Sequence, residues 1–407
     1  MSTAAPHPVP LAADLALRGT AVLEGGLAPE ALVLVAGEEI LWAGPAAHAP
    51  VHSAARTLEH DGLILPGLVD LHCHGGGGAS FPDAEDAEEM LTAVREHRRH
   101  GTTSLVASLV TADADTLRRR VGQLALLHER GEIAAIHLEG PFVSVARRGA
   151  QNREHIVGGD PELVAELAGL AGGALATMTV APEADRADEV LEALAAGGAV
   201  PSLGHTDGSS ADMTRAVGRA AEALRRHQGR SPLPTATHLF NGMRPIHHRD
   251  PGPALAALDA AARGALVVEV IADGVHLDAR TVAHVFAIAA EDRVALVTDA
   301  MAAAGMADGQ YRLGALDVTV EAGVATLTEG GAIAGGTAHL LDVVRFAVTE
   351  AGVDLVRAVR AASAVPAAVL GMQDRIGAIA TGRRADAVLV DRGLRPVTVL
   401  RGGREVG

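Results

Sequence analysis

The run Leu68-Val69-Asp70-Leu71-His72-Cys73-His74 decides the fold. It is a short, mostly apolar stretch that ends in two histidines separated by one residue. On an extended chain, residues two apart share a face, so His72 and His74 form a clasp. Cys73 then points the other way, as a small buried filler. The four glycines Gly75–Gly78 follow, which lets backbone crowd a site. The same design recurs. Apolar runs lie at 103–109, 134–139, 176–180, 200–205, 235–239, 265–271 and 294–299, and nearly all end on an ionisable residue.

Between these runs the sequence predicts helices over 84–100, 112–130, 161–171, 184–196, 210–228, 253–262, 279–290 and 337–351. The first is well marked. Acidic residues crowd its start, Arg and His its end, and Gly101 follows. Apolar strands alternating with helices indicate a buried parallel sheet, and eight such units indicate a closed barrel. The expectation is an α/β protein: a (β/α)8 TIM-type barrel over 64–364, with a small β-sandwich domain formed from both chain ends, 1–63 and 365–407. There is no dinucleotide fingerprint after the first strand, no repeat and no low-complexity tract.

Composition narrows the chemistry. The 407 residues are 48% hydrophobic but only 2% aromatic, so the core must be Ala, Leu and Val. A formal charge of −16 argues against nucleic acid or an anionic membrane as partner. An anionic substrate would then need a local cationic pocket. Cys73 is the single cysteine, so no intrachain disulfide exists. Residues 1–25 lack a basic n-region and a continuous apolar h-region, and a cytoplasmic protein is expected. All 34 Lys and Arg residues are arginine. A Schiff base, a P-loop lysine and a carboxylated-lysine metal bridge are therefore excluded.

In a barrel the C-terminal strand ends converge on one mouth, where catalytic groups sit. Those ends carry His72 and His74, Glu139, His205, His238, then Asp273 and His276, and Asp299. A carboxylate at Glu139 is either buried and paired or a metal ligand. Singly, His205 and His238 each fit a structural histidine as well as a ligand. Together, three N/O ligands with an open position are the pattern of a catalytic zinc site. Asp299 follows the apolar 294–297, so desolvation is expected to raise its pKa, as a general base needs. Its alternative role is an N-cap for 300–304.

At these residues the sequence resembles the amidohydrolase superfamily and, within it, the N-acetylglucosamine-6-phosphate deacetylase family. The matching segments include Pro66-Gly67-Leu68-Val69-Asp70-Leu71-His72-Cys73-His74, His137-Leu138-Glu139-Gly140-Pro141-Phe142, Gly204-His205-Thr206, Thr237-His238-Leu239-Phe240-Asn241-Gly242-Met243, Ala272-Asp273-Gly274-Val275-His276 and Val297-Thr298-Asp299-Ala300. They span essentially the whole chain. The Thr-His-Leu-Phe-Asn and Ala-Asp-Gly-Val-His stretches are specific to the deacetylases, whereas the paired histidines alone are not.

The resemblance implies roles. Glu139, His205 and His238 would hold the main divalent metal, and His72 and His74 a second. Zinc is the leading candidate, with iron or another divalent ion the alternative, one or two per subunit. Asp299 would be the catalytic base. Asn241, Gly242 and Arg249 would contact the sugar phosphate, with Arg249 supplied across a homodimer interface. His276 would contact the sugar, and Ala150 and Gln151 lie where the family's substrate loop does. Gln151 departs from the family, whose better known members carry His there. Gln keeps a hydrogen-bond donor but cannot carry charge.

The implied activity is metal-dependent deacetylation of N-acetylglucosamine 6-phosphate. Two rivals stand beside it. One is a related amidohydrolase acting on another N-acetylated sugar phosphate or a cyclic amide. The other is an inactive barrel kept as a scaffold, which should have lost ligands that here are all present.

Overall fold

The computed structural model describes residues 10–407. Residues 1–9, the start of the segment assigned to the small domain, lie outside the described residues. Eight parallel strands form one sheet in sequential order: Leu68–Cys73, Thr102–Leu109, Ala135–Glu139, Leu175–Val180, Val200–Leu203, Thr235–Ala236, Val267–Val270 and Val294–Leu296. Every residue of these strands is buried. The first and last strands meet through the parallel bridge of Cys73 to Ala300 and the bond from His74 N–H to Ala300 O (2.7 Å). The sheet is thus a closed barrel.

Local sequence explains the surrounding helices. Ala87–Arg99 starts on Asp86, whose carboxylate accepts from Glu89 N–H, and it ends before Gly101 at φ +103°. Pro161–Ala171 begins with proline at its first turn behind the Asp160 cap, and stops at Gly172 in the left-handed region. Ser210–Arg226 starts on a reciprocal capping box between Ser209 and Asp212.

The chain ends form a seven-stranded flanking sheet. Its order is Arg404–Glu405, Pro396–Arg401, Ala387–Val390, His52–Pro66, Leu11–Leu23, Gly26–Ala36 and Glu39–Pro45. Leu17, Val33, Ile64 and Leu389 pack at its centre. Its longest strand, His52–Pro66, runs through Gly67 straight into the first barrel strand. A Cβ on Gly67 would lie 2.3 Å from Thr103 Oγ1, so this junction accepts glycine alone.

Three elements were not anticipated. An antiparallel sheet of Gly309–Leu313, Leu316–Glu321 and Val324–Leu327 follows the last barrel strand. Helices Leu355–Ala361 and Ala364–Val369 precede the closing strands. Among the described residues no helix is long and apolar enough to cross a membrane.

Candidate metal centre and active site

Several late strands stop earlier than their apolar runs suggest. His205 (φ +47°), His238 (φ +26°) and Asp299 (φ +48°) all adopt the left-handed region, which ends the ladder and re-aims the side chain. Strained backbone of this kind persists where surrounding structure over-determines it, and it clusters at functional sites. Here it delivers three of the expected residues into the barrel mouth.

The residues meet in two groups that share Glu139. His205, His238 and Glu139 form one; His72, His74, Glu139 and Asp299 form the other. Glu139 Oε1 lies 2.8 Å from both His205 Nε2 and His238 Nε2, which are 3.2 Å apart. Glu139 Oε2 lies 3.1 Å from His74 Nε2 and 3.7 Å from His72 Nε2. Asp299 Oδ1 lies 3.3 Å from His72 Nε2 and 3.2 Å from His74 Nε2.

The partners of the opposite ring nitrogens say what these atoms are. His74 Nδ1 faces the carbonyl of Ser108 (3.2 Å) and His205 Nδ1 the carbonyl of Arg147 (2.7 Å). His72 Nδ1 faces the Glu269 carboxylate (3.3 Å). A carbonyl or carboxylate only accepts, so each Nδ1 carries the proton, and a neutral ring then has a bare lone pair at Nε2. Those lone pairs point at carboxylate oxygens and at one another: His72 and His74 Nε2 are 3.0 Å apart. A cation held between them would reconcile such an array. Contacts near 3 Å are also close to the edge of a tetrahedron with metal–ligand bonds of about 2.0–2.1 Å, roughly 3.3 Å. The residues fit a divalent metal.

The electrostatics agree. Burial pushes the rings of His72, His74 and His205 towards neutrality, but the carboxylates of Asp299 and Glu139 outweigh it and raise all three. Burial pushes Glu139 up, and the surrounding histidines more than reverse this. Asp299 departs from expectation. Burial does raise it, but His72 and His74 together pull it below the ordinary aspartate value. The lowering favours the ionised form and runs opposite to the rise expected of a general base.

A cavity of about 230 Å³ opens over this cluster, lined by His74, Glu139, His205, His238 and Asp299. Ala150, Gln151, Asn241, Gly242 and His276 also line it. A Cβ on Gly242 would meet His205 Nδ1 at 2.7 Å, so the chain passes against the His205 ring where only glycine fits. His276 Nδ1 is held by Asp273 (2.7 Å), which leaves Nε2 for the cavity. Arg249 is the one expected residue not brought in. It is exposed, with Nη1 2.8 Å from His248 Nε2, and does not line its own chain's cavity. Arg147 is paired with Asp207 (2.7 Å).

Sequence reasoning missed several supports. Glu269, in the middle of the seventh strand, orients His72 and accepts from His238 N–H (3.3 Å). Asp70 is buried, accepts the Thr298 hydroxyl (2.6 Å), and is pushed by burial up to about 6. The signal was present in both: a carboxylate inside an apolar strand needs a partner. Below the ligands, His137 bonds Ser108 and Thr179, and Thr179 bonds Thr237, so a polar chain braces the barrel interior. The cavity's outer wall of Leu313, Ala332, Ile333 and Gly335 comes from the unanticipated sheet and the turn after it.

The amidohydrolase family model matches residues 63–406. The chain belongs to this family. Within it, the chain is 34% identical over 355 residues to N-acetylglucosamine-6-phosphate deacetylase of Bacillus subtilis (strain 168), covering 84% of each. The human enzyme of that name is 34% identical over 344 residues, covering 82% of this chain and 80% of its own. A solved variant of N-acetyl-D-glucosamine-6-phosphate deacetylase from Mycobacterium smegmatis, in complex with N-acetyl-D-glucosamine 6-phosphate, superposes with a TM-score of 0.88 at 37% identity. It covers 97% of this chain and 99% of that one. Glu139 lies in both groups, the place that a carboxylated lysine cannot take in a chain without lysine.

Proposed function

We propose that this amidohydrolase hydrolyses N-acetylglucosamine 6-phosphate to glucosamine 6-phosphate and acetate. The observation that carries the reading is one carboxylate, Glu139, joining two histidine pairs beneath a cavity into which an ionised Asp299 opens. The 37% identity to a deacetylase solved with that sugar phosphate supports the substrate.

Glu139, His205 and His238 would hold the main metal, with His72 and His74 a second; zinc is the leading candidate and iron(II) the alternative. When bound, the metal supplies Lewis acidity, lowering the pKa of a water and polarising the amide carbonyl. Asp299 accepts the proton from the attacking water and orients it. The new C–O bond forms at the acetamide carbon, the C–N bond breaks, and Asp299 passes its proton to the leaving amine nitrogen. One carboxylate thus serves as base and then acid. Asn241, Gly242, Ala150 and the free Nε2 of His276 position the sugar, so remote binding spends itself on orientation.

Among the described residues no arginine lines the cavity. The phosphate's cation is assigned to Arg249 of a second copy, in a homodimer. Arg249 lies in the exposed segment 245–250, beside the exposed apolar Ile246, which favours this. A cytoplasmic site of action completes the reading.

The test is acetate release from N-acetylglucosamine 6-phosphate beside unphosphorylated N-acetylglucosamine, with zinc, iron(II) or cobalt(II) supplied. Turnover of the phosphorylated sugar alone is expected. Folded protein that turns over neither would overturn the substrate assignment.

A further inference from the structure

Gln151 was expected to touch substrate, but its side chain is only 4% exposed and both ends of its amide are taken. Thr111 N–H donates to Gln151 Oε1 (2.7 Å). A backbone N–H can only donate, so the oxygen must face Thr111 and the NH2 must face the other way. There it donates to Glu139 Oε2 at 2.6 Å. The Thr111 hydroxyl meanwhile donates to the backbone carbonyl of Glu139 (3.1 Å). Thr111 therefore grips Glu139 twice, once directly and once through Gln151.

The oxygen that Gln151 holds is the one facing His74 and His72; the other takes His205 and His238. A carboxylate free to rotate could give both oxygens to one group. We infer that Gln151 is a positioning residue that locks this rotation, so that Glu139 serves both ligand groups, and that it governs occupancy of the His72/His74 group. The inference rests on the metal-centre reading above. Gln suits the task because its amide donates without titrating and leaves the carboxylate its full charge. The same segment also orients the other group, since Arg147 O holds His205 Nδ1. One loop, whose Gly149 and Ala150 line the substrate cavity, thus steadies a ligand of each group.

The experiment is titration of metal-stripped full-length protein with cobalt(II), followed by absorbance and by metal analysis. Gln151→Met keeps length and apolar packing while removing the donor; Gln151→Ala and His74→Ala accompany it, with melting curves for each. The parent is expected to bind two ions per chain. Gln151→Met should keep the first unchanged and bind the second at least about tenfold more weakly, approaching His74→Ala. Two ions bound as in the parent, or equal weakening of both, would overturn the positioning role. A parent that saturates at one ion would overturn it too. A folded parent that binds none would instead sink the metal-centre reading itself.

Discussion

The backbone N–H of Asp299 donates to the carbonyl oxygen of His72 at 2.9 Å, and the Asp299 carboxylate returns to the same residue's ring, with Oδ1 3.3 Å from Nε2. This bond, beside those that close the barrel at Ala300, therefore also sets the distance between the proposed base and a proposed ligand. Side chains held by packed strands keep tolerances that loop residues do not, and orientation of this kind contributes directly to rate.

Asp299→Asn tests the proton role. The amide keeps the shape and the backbone bond but cannot take a proton at neutral pH. The expected result is a kcat at least about a hundredfold lower with metal content retained. Metal analysis beside steady-state kinetics decides it. Near-normal turnover would refute the role, and loss of the ion would recast Asp299 as chiefly a ligand.

How much of this was legible in the sequence follows from what each residue depends on. The eight barrel strands and their helices read out because burial imposes continuous apolar runs, and caps such as Asp86 and Asp160 mark helix starts. The clustered residues His72, His74, Glu139, His205, His238 and Asp299 read out because each stands at the end of a run. Strand lengths did not, because the left-handed turns at His205, His238 and Asp299 leave no mark in hydrophobicity. The outer wall escaped for another reason: its strands are only four to six residues long and mix exposed, half-buried and buried positions, so they carry no continuous apolar run. Gln151 was found as a position but not as a contact, since nothing in the local sequence says that Thr111 would turn its amide towards Glu139.

Arg249 can be tested across subunits. Arg249→Ala alone should raise KM for the phosphorylated sugar while leaving metal content as in the parent. Mixing it with Asp299→Asn gives a sharper result. In a mixed dimer, the site on the Arg249→Ala chain keeps its Asp299 and receives the partner's intact arginine. Random reassembly of equal amounts makes half the dimers mixed, with one sound site of two, so at substrate well below the raised KM about a quarter of parental activity should return. If activity stays at the sum of the separate variants after subunit exchange, the arginine acts within its own chain or not at all.

His97 makes a prediction about stability and pH. It is fully buried against Gly75, with Nε2 2.8 Å from the Gly75 carbonyl, so Nε2 carries the proton and Nδ1 has no partner among the described residues. A second proton would sit on an unpaired, buried nitrogen. Burial, reinforced by the nearby His339 ring, accordingly holds the imidazole down to about 4. Unfolded, it would protonate near 6.5. Between those values the unfolded chain binds a proton that the native chain refuses. This contribution to stability is therefore complete above about pH 6.5 and is lost as pH falls towards 4, on the order of 3 kcal/mol in all. The check is urea unfolding of parent and His97→Gln at pH 7.5 and 4.5, with chelator present so that metal release does not contribute. Gln can still donate to Gly75 but does not titrate. The parent's advantage over the variant should shrink markedly at the lower pH. An advantage that is the same at both would mean that His97 does not supply the pH dependence.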